Sequence, residues 1–419
     1  MGRPMIAGTP VLDLDDAASL EAADSGGALR SAASGGAQVR ATAAAVGENA
    51  LARLADLRPR SVVFVSGSGR AARAAGLLMM ALGDRAGLPV VHAAGLPPWV
   101  GPLDVVLVAG DDAGDPRLID AVDRALRRGA EVVVAAPNEG PLRMAAAGRA
   151  ALLEPRVPVL DHNRLLRFLA AGIAVLRMVD PARSGAAVPE LTALADMLDA
   201  EALRDAPQNE VFHNPAKTLA ARMQQRGLVL VGDSPAAAEL ADHAAEVLLQ
   251  AAGRVASSAD LAEAVAAGPQ LTAAAGEQAP DFDPLFHDEE LDGPAPVDRI
   301  RVFVLSTDPD QTAARRRLAV FGTGGLVDAD LVTADIDLLR SALTDPAALT
   351  PQPEDRTATG DHGTELEQLA VLALRLEMAA AYLRLIGGHG TADATPDYRS
   401  DDYRDENYTS ADQYDGGRF

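Results

Sequence analysis

The 419-residue chain contains no cysteine. That removes disulfides, thiolate nucleophiles and cysteine-ligated zinc together. Aromatic residues make up only 3% against 48% apolar residues overall, so any core must be filled by Leu, Val and Ala. Such a core favours stacked α/β layers over a β-sandwich, which leans on aromatic and β-branched strands. Basic residues are outnumbered 37 to 60 by acids, for a formal net charge of −23. This argues against a nucleic-acid partner, whose binding is driven largely by Lys and Arg; the acidity serves instead to keep an abundant protein dispersed. The seven histidines include no H-x-x-x-H or H-E-x-x-H pair, so no metal site is expected. No run of about 18 apolar residues escapes a charge or a turn signal, so no membrane span is expected. The opening MGRPMIAGTPVLDLDD lacks an apolar h-region before its acids, and a cytoplasmic location is expected.

What the chain does have is an organising stretch from Ser61 to Gly76, SVVFVSGSGRAARAAG. Val62, Val63, Phe64 and Val65 form the continuous apolar run of a strand covered on both faces. Gly67 and Gly69 permit a sharp turn and close approach of a ligand, and the alanine-rich run from Ala71 favours helix. Unpaired amides at a helix start, with the positive end of its dipole, attract an anion, commonly a phosphate. Two ligands fit. Gly67, Gly69 and Ala72 satisfy G-x-G-x-x-A, the pattern for NAD or NADP, but that site wants an acid at the end of the next strand. Residues 88–94 (LPVVHAA) end in His92, Ala93 and Ala94 instead. The other ligand is a small phosphorylated metabolite, held by the Ser66 and Ser68 hydroxyls and the loop amides.

Strand and helix alternate over 61–66, 71–84, 88–94, 103–109, 116–128 and 131–136, which is the rhythm of βαβ units on a parallel sheet. A short helix at 141–147 and a short strand at 150–153 complete that layer. Residues 10–57 read as helix broken at Gly26–Gly27 and Gly35–Gly36, while 163–179 and 188–203 read as long helices joining two halves. The rhythm returns at GLVLVG (227–232), with Asp233 or Ser234 as a helix cap and Pro235 at the first helical position. It returns again at 301–305, so the chain reads as a duplication. Segments 272–298, 344–363 and 389–419 are too rich in Asp, Glu, Pro and Thr, or too poor in apolar residues, to build a core. The last carries Tyr398, Tyr403, Tyr408 and Tyr414. Residues 365–386 read as an amphipathic helix packed on the body.

The strand–S-G-x-G-x–helix opening at Ser66–Arg70 resembles the SIS (sugar isomerase) domain. More narrowly, Asn214-Pro215-Ala216-Lys217-Thr218-Leu219-Ala220 resembles the N-P-A-K-x-L-A segment of the bifunctional phosphoglucose/phosphomannose isomerases, which carry two SIS domains. The stretch Tyr382-Leu383-Arg384-Leu385-Ile386-Gly387-Gly388 resembles the end of that family's last helix. The resemblance implies an α/β fold with two SIS-type three-layer αβα domains on parallel sheets, plus a C-terminal helix and a disordered tail. The segments would be an N-terminal helical part (1–35), a first domain (36–155), connecting helices (156–204), a second domain (205–343), a linker (344–363), a helix (364–388) and the tail (389–419). It also implies a homodimer, with helices 163–179 and 365–386 as the contacts, and no cofactor.

That family interconverts aldose and ketose 6-phosphates through an enediol, an intramolecular oxidoreductase reaction. It needs a base, a ring-opening group and anion holders. By resemblance, Ser66, Gly67, Ser68, Gly69 and Arg70 stand at the first sugar-binding loop. The second loop, S-x-S-G-x-T in the family, falls at Gly110–Asp115, where Asp111, Asp112 and Asp115 replace the hydroxyls. Like charges about 4 Å apart repel by roughly 1–4 kcal/mol, so this loop should reject a phosphate unless a metal or an arginine intervenes. His287-Asp288-Glu289 resembles the H-N-E segment that supplies the ring-opening histidine. The family's catalytic Glu falls at Gln250 or Ala251, neither of which takes a proton from carbon, and Glu246 lies one turn earlier. An arginine of the family falls near His243. The expectation is a carbohydrate-derivative (sugar phosphate) binding protein, catalytically impaired or altered. The alternatives are an active glucose-6-phosphate/mannose-6-phosphate isomerase, with Glu246 or Glu289 as base and His287 opening the ring, and a dinucleotide-binding enzyme.

Overall fold

A computed structural model of the chain describes residues 5–6, 9–10, 12–55, 57–180, 187–277, 300–308, 311–319, 321, 327–344 and 363–387. A short antiparallel hairpin, β1 (Met5–Ile6) with β2 (Thr9–Pro10), precedes three helices, α1 (Ala17–Ala23), α2 (Ala28–Ala33) and α3 (Gly35–Gly47). Gly27, at φ +65°, does break the helical run. Gly35–Gly36 does not, because both lie inside α3. A β-carbon on Gly35 would stand 2.4 Å from Leu166, and one on Gly36 would stand 1.9 Å from Asp199 Oδ1 and 2.7 Å from the Ala195 carbonyl. The pair lets α3 lie directly against two long helices, where a turn had been expected.

Five parallel strands follow: β3 (Ser61–Val65), β4 (Val90–Ala93), β5 (Asp104–Ala109), β6 (Glu131–Ala135) and β7 (Ala151–Leu152), in the order β4-β3-β5-β6-β7. Their side chains alternate between two layers. Val63, Val65, Val106, Val108, Val132 and Val134 pack under α5 (Pro116–Arg127) and α6 (Gly140–Ala146). Val62, Phe64, Val105, Leu107 and Val133 face α4 (Arg70–Leu82) and α7 (Leu165–Val179).

After α8 (Leu191–Arg204) and α9 (Pro215–Met223), a second parallel sheet forms from β8 (Gly227–Gly232), β9 (Ala256–Asp260), β10 (Ile300–Ser306) and β11 (Val327–Thr333). Its order, β11-β10-β8-β9, repeats that of the first four strands of the first sheet. The duplication is therefore visible in strand order. The connecting helices are α10 (Pro235–Ala252), α11 (Leu261–Ala266), α12 (Gly268–Glu277), α13 (Thr312–Leu318) and α14 (Ile336–Thr344). Helix α12 extends into the stretch from 272 expected to be unstructured; the rest of that stretch, 345–362 and the tyrosine-bearing tail lie outside the described residues.

Leu228, Leu230, Phe303 and Leu305 of the second sheet join the same hydrophobic core as Val62 and Phe64 of the first. Through it runs α15 (Glu365–Ile386), buried from Leu366 to Leu383 and again at Leu385 and Ile386. The helix does pack on the body, but the expected amphipathic character is corrected: α15 is enclosed on every side. Helix α7 is enclosed likewise, with Leu165, Phe168, Ile173 and Val175 at 2% exposure or less. Neither helix has the free apolar face that a homodimer contact would need. Among the described residues, no helix is long and apolar enough to cross a membrane.

Candidate functional site

Parallel pairing in register, Val65 opposite Ala93 and opposite Val108, brings the carboxyl ends of β3, β4 and β5 level. Crevices at such ends are where open α/β sheets receive ligands. At the end of β3, Ser66 is buried, and its Oγ lies 2.8 Å from Nε2 of His92 at the end of β4. The Ser66 hydroxyl is thereby engaged within the protein. Ser68 and Gly69 are exposed, and Gly69, at φ +74°, precedes the first turn of α4.

The second loop lies against the first, since a β-carbon on Gly67 would stand 3.5 Å from Asp115 Oδ2 and 3.7 Å from Arg117 Nη1. Its three acids each have an internal partner. Asp112 accepts from the Gly114 amide at 2.7 Å, and Asp115 caps α5 by accepting from the Arg117 amide at 2.8 Å. Asp111 receives Arg164 at 3.1 Å and Arg167 at 2.5 Å. Arginines do intervene at this loop, brought by the start of α7.

Arg70 and Arg73 of α4 turn toward the other sheet. Arg70, only 4% exposed, donates to Glu246 Oε2 at 2.6 Å and to Gln250 Oε1 at 2.8 Å, and its Nη1 lies 3.3 Å from Nδ1 of His243. Arg73 donates to Glu246 Oε1 twice, at 3.0 and 2.7 Å, and to Glu239 and Asp242. Both oxygens of Glu246, the candidate base, are therefore occupied by guanidinium groups. Gln250 belongs to the same clamp. His287 and Glu289 lie outside the described residues.

Behind the clamp runs a buried polar chain that the sequence reading missed. His243 Nε2 lies 3.1 Å from Glu377 Oε1, Asn163 Nδ2 donates to Glu377 Oε2 at 2.9 Å, and Ser31 Oγ donates to Asn163 Oδ1 at 2.8 Å. Burial pushes the Glu377 carboxyl up to about 8, against the opposing pull of Asn163 and Arg70. Burial, then the charges of Arg70 and Arg73, hold His243 well below the ordinary imidazole value. Half-buried His162 is lowered to about 4 by burial and by Arg70 and Arg384 nearby. The signal available in the sequence was a glutamate two residues after an arginine in a stretch apolar elsewhere, ALRLEMAAAYL.

The N-P-A-K segment proves architectural. Asn214 Oδ1 accepts from the Lys217 amide at 2.8 Å as the cap of α9, and Pro215 takes the first helical position. Lys217, fully buried, donates to the carbonyls of Pro207 and Asn209, both at 2.7 Å, and faces the Tyr382 ring. Tyr382 in turn donates to the Asp205 carbonyl at 2.6 Å. The segment thus ties α9 to α15. Among the described residues, no group of three or more His, Asp or Glu side chains could hold a metal ion.

No protein-family model and no curated protein sequence matches the chain. Solved structures do share its architecture. A protein assigned to the phosphosugar isomerases, from Silicibacter pomeroyi, superimposes with a TM-score of 0.54 at 16% identity, over 87% of this chain and 98% of that one. The C-terminal domain of glucosamine-fructose-6-phosphate aminotransferase from Francisella tularensis gives 0.53 at 8% identity, over 88% and 96%. Tagatose-6-phosphate ketose/aldose isomerase from Escherichia coli gives 0.51 at 13% identity, over 90% and 96%. The chain has the αβα sugar-isomerase (SIS) fold of these phosphosugar proteins.

Proposed function

We propose that the chain binds a carbohydrate derivative, a sugar phosphate or a closely related small molecule, in the first-sheet crevice. On this reading it does not carry out the aldose–ketose isomerisation of the phosphoglucose/phosphomannose isomerases that its N-P-A-K segment resembles. The observation that carries the reading is Glu246, whose two oxygens are both held by arginines. Three guanidinium N–H groups take most of that carboxylate's acceptor sites and hold it against α4, so it is not free to move to a proton on carbon, and the neighbouring Gln250 amide cannot serve. Anion-holding groups remain nearby: the Gly67–Gly69 amides at the start of the 13-residue α4, the exposed Ser68 hydroxyl and Arg117 beside Gly67. The fold supports the ligand class, because proteins that share it are named for tagatose 6-phosphate and fructose 6-phosphate. The protein would act in the cytoplasm, in a regulatory or partner role in sugar-phosphate metabolism, and as a homodimer it would pair through surfaces other than α7 and α15.

The test is calorimetry and thermal-shift titration with glucose 6-phosphate, fructose 6-phosphate and mannose 6-phosphate, run beside an interconversion assay. We expect saturable binding, weakened by Ser68→Ala and by Gly67→Val, with no interconversion. Turnover of any of these sugars overturns the non-catalytic reading. Absence of binding by all three overturns the sugar-phosphate reading.

A further inference from the structure

Arg164 Nη1 and Arg167 Nη2 converge on one and the same atom, Oδ1 of Asp111. Two cations therefore share one carboxylate oxygen, and among the described residues the other acid paired with them is Asp161, 84% exposed, on Arg164. The Arg167 side chain is only 11% exposed and lies over the Phe168 ring at 4.2 Å, so its guanidinium is backed by the core. Its Nε is buried with no hydrogen-bond partner. The corner thus holds two guanidinium groups on a single carboxylate oxygen, one of them already fixed in place with an unused donor, and its second acid is spread into water. A phosphoryl dianion, with three terminal oxygens, satisfies two guanidinium groups better than a single carboxylate oxygen does.

The corner adjoins the crevice. Val65 and Val108 are paired in register, so Ser68 and Asp111, each three residues further on, leave the same sheet edge on adjacent strands. Asp115, on the same loop as Asp111, already faces Gly67. We propose that Asp111 is an internal stand-in for a ligand phosphate, with Arg164 and Arg167 forming the anion grip that the carboxylate plugs until a phosphoryl group displaces it. This inference rests on the reading of the first-sheet crevice as an anion site. It assigns to two arginines of α7 and the turn before it the work that hydroxyls of the second loop do not do here. It also makes the site selective for phosphate esters over neutral sugars.

The experiment is calorimetry on the full chain with inorganic phosphate and with glucose 6-phosphate, comparing wild type, Asp111→Asn and Arg164→Gln at low and high salt. The Asp111 and Arg164 side chains are 35% and 28% exposed, so both variants should fold, which circular dichroism melts will verify. Removing the competing charge should tighten both ligands by about tenfold in Asp111→Asn. Arg164→Gln should weaken both, and the affinities should fall with salt. If wild type binds glucose 6-phosphate and Asp111→Asn binds it no better, the plug is overturned and the binding reading stands. If wild type binds no sugar phosphate but Asp111→Asn takes up inorganic phosphate, the plug stands and the sugar reading falls. If no form binds either anion, the plug is overturned, and the sugar reading falls with it when fructose 6-phosphate and mannose 6-phosphate also fail to bind.

Discussion

Nε2 of His243 lies 3.1 Å from Oε1 of Glu377, and neither side chain reaches water. The Arg70 guanidinium on the other side of the ring can only donate, so Nδ1 accepts and the proton of the neutral ring sits on Nε2, donating to Glu377. The contact joins α10 to α15 at the point where α4 of the first unit reaches across. Its acid is held far from its ordinary titration range, which makes the junction sensitive to pH.

The folded pKa of Glu377, about 8, lies above its ordinary 4.5, so within that window the folded protein holds a proton that the unfolded chain has released. Stability therefore falls as pH rises across the window. His243 acts in the opposite sense: its folded value lies below 6.5, so it adds stability as pH climbs toward 6.5 and nothing further above it. Between pH 6.5 and 8 only Glu377 of this pair contributes, and the unfolding free energy should decline by roughly 1 kcal/mol per pH unit. Urea melts of wild type and Glu377→Gln across this range check it. The decline should vanish in the variant, and persistence there would assign it to other groups.

Glu246→Gln should destabilise the protein by about 1–3 kcal/mol, because Arg70, nearly buried, is left with neutral partners only. Denaturant titration measures the loss. In a double-mutant cycle with Arg73→Gln the two losses should fall short of additive. Simple additivity would mean that the clamp is two independent contacts.

Gly232 ends β8 where the chain turns into α10. A β-carbon there would stand 2.0 Å from the Ala238 nitrogen and 2.3 Å from the Ala237 carbonyl carbon, both backbone atoms. Gly232→Ala should therefore cost more than about 3 kcal/mol or abolish folding. Gly95→Ala, with nothing within 4 Å of the new carbon, is the control and should melt like wild type.

Lys217→Met should strand the carbonyls of Pro207 and Asn209 and lose about 2–4 kcal/mol in chemical denaturation. Sugar-phosphate affinity, measured on the fraction that folds, should be unchanged. A selective loss of affinity would move the N-P-A-K segment from scaffold to site.

The strands were legible because runs such as SVVFV and GLVLVG are continuous and β-branched, as doubly covered strands must be. The loop at Ser66–Gly69 was legible because glycine spacing and helix start sit together in sequence. Helix α15 was misread for a physical reason: a charge buried against a distant partner and a charge in water look alike in one sequence. Arg375 meets Glu201 across 174 positions and Glu377 meets Asn163 across 214. The acidic loop left the same question open, whether an arginine intervenes, because Arg167 comes to Asp111 from 56 positions away. In each case the compensating group lay on another element, and only folding brought it near.

The central place of α15 has a consequence for biosynthesis. The helices that cover the two sheets pack in turn on a helix that the ribosome makes after every strand of either sheet, so each half emerges with part of its apolar surface still uncovered. Translation halted before residue 365 would release two layered units with no axis to close on. Such a product would be a client for chaperones and proteases, whatever the quality of the sheets already made.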